Sequence, residues 1–139
     1  MTPPALGLSA PGRAAALLRG AYGVALCCAP GPIVTVVGGS AATSRERVVA
    51  RVLGARHVAQ AAVTLARPTP VVLALGSAAD VLHAASMIGL AALDRPRWRL
   101  GCTDALIAAA FAAAGGTLAA RRAAAAVPAP EPAALPGLP

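Results

Sequence analysis

The sequence predicts an all-α protein, a four-helix transmembrane bundle with short loops and a disordered Ala/Pro-rich C-terminal tail. Three observations carry this expectation. The 13 prolines fall only within positions 3–11, 30–32, 68–70, 96 and 128–139. Proline removes a backbone donor and clashes with the preceding helical turn, so its absence marks where continuous helix is possible. The stretches between are apolar and close to the roughly 20 residues that a hydrocarbon layer of about 30 Å requires. The composition agrees: 58% of residues are hydrophobic, 12% are charged and mean hydropathy is +0.71, whereas soluble domains carry about 25% charged residues.

Residues 1–11 read as a flexible arm. The first helix is expected over about 12–29, interrupted by Arg19. A cleaved signal peptide would take Arg13 and Arg19 as its charged region, but Cys27-Cys28-Ala29-Pro30 is a poor cleavage site. Tyr22 and the neighbouring glycines suit a packed helix instead. After Pro30-Gly31-Pro32, the run Ile33–Val37 is far too short to span and reads as an interfacial or re-entrant piece of a loop closing before Ser44. Ser44 is a plausible N-cap, with Glu46 in the favourable first turn.

The second helix is expected at 45–66, the third at 71–93 and the fourth at 98–120, forming one membrane domain over 12–120. Trp98 lies among Arg95, Arg97 and Arg99, as an aromatic and basic anchor at headgroup level would. Residues 121–139 open with two arginines and become the Ala/Pro-rich tail.

All 12 basic residues are arginine, and the net charge is +7. Such a charge can indicate nucleic acid. Here the arginines gather at the ends of apolar stretches, and one Phe, one Tyr and one Trp give no platform for stacking bases. The partner read from these features is a lipid bilayer, not nucleic acid, and arginine with abundant alanine fits a GC-rich bacterial genome. The expected location is a bacterial plasma membrane, crossed several times. Loop charges lean only slightly toward cytoplasmic loops one and three. The 3 cysteines, Cys27, Cys28 and Cys102, form no CxxC and read as small buried hydrophobes.

Polar residues within the expected spans are the candidate site. At about 100° per residue, Arg56, His57, Gln60 and Thr64 share one side of the second helix. Gly54, Val58, Ala61, Ala62 and Leu65 share the other, an expected lipid face. Gly76, Asp80, His83, Ala84 and Met87 make a stripe on the third helix. Arg19 shares a face with Tyr22 and Gly23, and Asp104 aligns with Ala108, Phe111 and Gly115. Charged groups at membrane depth cost at least about 2.5–3.5 kcal/mol on insertion scales, so they turn toward one another. Arg19, Arg56, His57, Gln60, Asp80, His83 and Asp104 therefore form an expected intramembrane polar network, with Arg56 and Asp80 paired by depth.

That network fixes helix register, or it serves a proton path, a ligand pocket or a cofactor. His57 and His83 are conceivable axial ligands of a b-type haem. The few aromatic residues favour hydrogen-bonded structural histidines and no cofactor. Gly38-Gly39-Ser40 lacks the remainder of a phosphate-binding loop, and no metal or catalytic constellation is present, so the reading leans away from an enzyme.

Gly54-Ala55-Arg56-His57, followed by Asp80-x-x-His83, resembles small four-helix integral membrane proteins of actinobacteria and, more remotely, DoxX-like families. The resemblance covers roughly 13–120 and implies a four-helix membrane fold. DoxX-like relatives imply membrane-linked redox chemistry, for which this chain has no thiol pair. The leading expectation is a non-enzymatic membrane module or accessory subunit, with a homo-oligomer or another membrane protein as partner. The alternatives are a redox or haem protein using His57 and His83, or a transporter or proton-conducting unit using Arg56, Asp80 and Asp104.

Overall fold

The computed structural model describes residues 7–127. Residues 1–6 of the expected arm and 128–139 of the expected tail lie outside them. The described residues form five α-helices and no strand: α1 (Ala10–Cys28), α2 (Pro30–Gly38), α3 (Ser44–Ala66), α4 (Pro70–Leu93) and α5 (Trp98–Ala125), with a 3-10 turn at Arg95–Arg97 before α5.

Local chemistry sets these boundaries. Ser9 caps α1 through its side chain, with proline in the first turn, so the helix starts before the expected residue 12. Thr43, not Ser44, caps α3. Its hydroxyl accepts from the Glu46 N–H while the Glu46 carboxylate accepts from the Thr43 N–H, a complete capping box. Thr69 caps α4 ahead of Pro70 at the first helical position.

Two expectations are corrected. Residues 30–38 are a helix rather than an irregular loop piece. Pro30 and Pro32 fall among the first helical residues, whose N–H groups have no intrahelical partner to lose. The helix ends at Gly39, whose φ of 75° is the left-handed conformation that glycine adopts without strain. At the other end of the chain, α5 runs through Arg121 and Arg122 to Ala125, beyond the expected end at 120. Alanine has the highest helix propensity, and the next proline comes only at 128.

The helices pack as two principal pairs, α1 on α3 and α4 on α5, with α2 turned against the ends of α3 and α5. A Cβ on Gly23 would lie 2.6 Å from the Gly54 carbonyl oxygen, and one on Gly54 would lie 2.6 Å from that of Gly23. Glycine at both positions is what lets α1 and α3 cross so closely. Gly54 and Ala61 are consequently buried against α1, which corrects the assignment of that face of the second expected helix to lipid. In the other pair, a Cβ on Gly101 would meet the Met87 carbonyl oxygen at 2.8 Å.

Two segments are long and apolar enough to cross a membrane: α4, with mean hydropathy 1.7, and Arg95–Ala125, with 1.5. α1 and α2 qualify only together, bent by 99° at their break, which makes up to three spans. α3 is not among them, since Arg45, Glu46, Arg47, Arg51 and Arg56 dilute its apolar residues. The expected set of four apolar spans is narrowed to two, or three if α1 and α2 count as one.

Candidate functional site

The two largest fully buried side chains are His57 and Asp80, while the buried hydrophobic residues are mostly alanine. Large hydrophobic side chains such as Leu18, Val52, Leu75, Leu82 and Leu106 face outward instead. Polar groups thus occupy the space between the helix pairs, where only hydrogen bonding and charge pairing offset their desolvation.

Asp80 is the centre, with 0% exposure. Its position, ten residues after Pro70, matches that of Arg56, eleven before Arg67, so both lie about 15 Å from the turn joining α3 to α4. The Arg56 Nη2 donates to Asp80 Oδ1 at 2.9 Å. The second oxygen, Oδ2, accepts from Arg19 Nη2 on α1 at 2.5 Å. Arg19 also donates through Nη1 to Gln60 Oε1 at 2.9 Å, and Gln60 Nε2 reaches the Gly76 carbonyl at 3.4 Å. One carboxylate therefore ties α1, α3 and α4 together. Its partners differ in burial: the Arg19 side chain is 10% exposed and that of Arg56 29%.

Aromatic groups complete the wall. The Arg19 guanidinium carbon lies 4.3 Å from the Phe111 ring centroid, within cation–π range. Tyr22, His57 and Phe111 form a cluster with centroid separations of 5.3 to 6.3 Å. His57 Nδ1 is buried and has no hydrogen-bond partner among the described residues. The expectation of a hydrogen-bonded histidine is corrected for that atom.

Asp104 stands apart from the arginines, which corrects the expectation of one network joining all the interior charges. Its Oδ2 lies 2.9 Å from His83 Nε2, a contact joining α5 to α4. Both side chains are partly accessible, 19% for His83 and 22% for Asp104. Of the two histidines, His57 has the Tyr22 and Phe111 rings against it, and His83 is engaged through Nε2 by Asp104. Among the described residues, no group of three or more His, Cys, Asp or Glu side chains could hold a metal ion.

Sequence reasoning did not anticipate an apolar cleft of about 390 Å³ between the helix pairs, at the end where α2 lies. Its walls include Leu26, Val34, Leu53, Met87, Leu100 and Ile107, and Tyr22 and Asp104 also line it. At its outer end Arg97 binds both Glu46, at 2.9 Å through Nε, and Asp94 through Nη1. Backbone and side-chain donors of Thr43, together with Arg97, hold the Glu46 carboxyl down at about 2, well below its ordinary value. The only signal of this cleft in the sequence was the Ile33–Val37 run, which becomes part of its roof once it is helical. The cysteines lie elsewhere: Cys28 and Cys102 are exposed and Cys27 half-buried, correcting the expectation that all three are buried.

Comparison with known protein families, curated proteins and solved structures finds no match for this chain.

Proposed function

We propose that the chain is a multi-pass integral membrane protein of a bacterial plasma membrane, serving as a non-enzymatic helical module or accessory subunit. In this reading α4 and α5 cross as apolar spans, α1 with α2 forms a bent third crossing, and α3 crosses shielded by the others. The observation that carries it is the inverted distribution of side chains: Asp80 and His57 are the largest fully buried ones, and leucines and valines cover the outside. Water would penalise that surface, whereas lipid accepts it. Lipid also makes the interior pairing of Arg19, Arg56 and Asp80 favourable, because a lone charge at that depth is costly.

Asp80 has both oxygens occupied and no exposure, which favours a role in holding helices over one in chemistry. A transport or proton-conducting role is the second reading, and the partly accessible His83–Asp104 pair favours it. Membrane fractionation tests the main proposal. The protein should remain in the membrane pellet after high-salt and alkaline carbonate washes and require detergent for release. Recovery of a monodisperse monomer without detergent would overturn it.

A further inference from the structure

The cleft beneath α2 carries a charge opposite to that of the protein. The chain has a net charge of +7, yet the charged residues lining the cleft are two arginines, Arg45 and Arg97, against three carboxylates, Glu46, Asp94 and Asp104. By formal charge the lining is net −1. Arg97 is already shared between Glu46 and Asp94 at the outer end. The inner carboxylate, Asp104, has no arginine: both interior arginines bind Asp80. Its one partner among the described residues is His83, which reaches Oδ2. That contact engages Oδ2 alone, and the Asp104 side chain keeps 22% exposure.

The cleft around this carboxylate is walled by apolar residues such as Leu26, Met87, Leu100 and Ile107, and Tyr22 lines it as well. At about 390 Å³ the cleft falls within the size range of small-molecule sites, which combine apolar walls with a few placed polar groups. An anion would be repelled by Asp104, and a small hydrated cation would lose its water to walls that cannot replace it. A cation whose charge is carried inside a hydrophobic body meets both conditions, and an aromatic ring adds cation–π attraction.

We propose that this cleft binds lipophilic organic cations of the alkylammonium or arylphosphonium class, with Asp104 as the counter-charge and Tyr22 beside it. The site borders the Asp80 cluster at Tyr22, whose ring packs on His57, and its occupancy does not depend on whether that cluster has any role beyond holding helices.

The test uses the full-length protein in a non-ionic detergent, with protein-free micelles as the baseline. Tetraphenylphosphonium and tetraphenylborate are the probes, because they share size and shape and differ in charge. Equilibrium dialysis should show saturable, one-to-one binding of the phosphonium and no saturable binding of the borate. Asp104→Asn should weaken phosphonium binding at least tenfold, and Asp104→Glu should restore part of it. Met87→Trp, which fills the cleft and leaves the carboxylate in place, should also weaken binding at least tenfold. Absence of saturable phosphonium binding to the unmodified protein overturns the proposal, as does equal binding of the borate. Unchanged affinity in a folded Asp104→Asn protein does the same. Should Asp104→Asn not fold, Met87→Trp decides: retained affinity there places the cation elsewhere. Carbonate extraction from membranes is independent of all these outcomes, so failure of this site is distinguishable from failure of the membrane reading.

Discussion

The two helix pairs carry opposite interiors. The α1–α3 pair brings Arg19 and Arg56 to the centre, while the α4–α5 pair brings Asp80 and Asp104. They also differ in hydropathy: α4 and the Arg95–Ala125 stretch are apolar enough to span unaided, and α3 is not. The contrast shows how a strongly arginine-bearing helix packs beside two apolar ones. Its central cation is compensated by a carboxylate on the apolar pair, and its glycine crossing with α1 covers much of its remaining face.

Removing the shared carboxylate breaks this relation most severely. Asp80→Ala leaves Arg19 and Arg56 both uncompensated between the helices, and loss of one partner from a buried ion pair costs about 3–5 kcal/mol. The folded fraction recovered from membranes in mild detergent, read by gel filtration, should fall further than it does for Gly54→Leu, Arg19→Ala or Arg56→Ala. Next in size is the crossing within the cationic pair. Gly54→Leu would force its side chain against the Gly23 backbone, and overpacking of this kind costs about 1–3 kcal/mol. A lowered midpoint of thermal unfolding checks this, while Gly76→Ala, where a Cβ has 3.7 Å of clearance, should change little.

The two arginines sharpen the comparison further. Arg19→Ala should cost more than Arg56→Ala, because Arg19 is the more buried and also binds Gln60 and stacks on Phe111. Parallel denaturation curves in detergent measure the difference. The smallest effect belongs to the link at the ends of the pairs, where Glu46 of α3 meets Arg97 before α5. Glu46 lies in the first turn of α3, a helix not among those apolar enough to cross a membrane, and its carboxyl is depressed to about 2 from 4.5. Its stabilising contribution is therefore fully present above about pH 4.5 and is lost as pH falls toward 2. The stability gap between the wild type and Glu46→Gln should be below about 1 kcal/mol at neutral pH, as for exposed pairs. It should narrow across that acidic window.

Much of the helical framework was legible because proline placement is a local signal. The turn at Arg67–Pro70 and the boundary near Pro96 could be read from it directly, and equal distance from the first turn puts Arg56 level with Asp80. What stayed hidden depends on packing. The second arginine on Asp80 could not be assigned, since choosing between Asp80 and Asp104 for Arg19 requires knowing that α1 lies on α3. The buried side of α3 was misread for the same reason: Gly54 and Ala61 look like a weakly apolar outer face until α1 is laid over them. α2 was hidden by β-branched residues that disfavour helix locally, while its prolines were harmless at the positions they take. Without α2 as a helix, no cleft can be drawn around Asp104.

One carboxylate of the apolar pair, Asp80, holds the two cations of the other. A double-mutant cycle on Arg56 and Asp80, measured by reversible unfolding in detergent, tests it most directly. Asp80→Ala strands two arginines, and adding Arg56→Ala removes one of them. The double variant should be more stable than Asp80→Ala alone, with a coupling of about 1 kcal/mol or more. Losses that add to within about 0.3 kcal/mol would mean that the two residues do not act together, and the proposed joint between the helix pairs would be wrong.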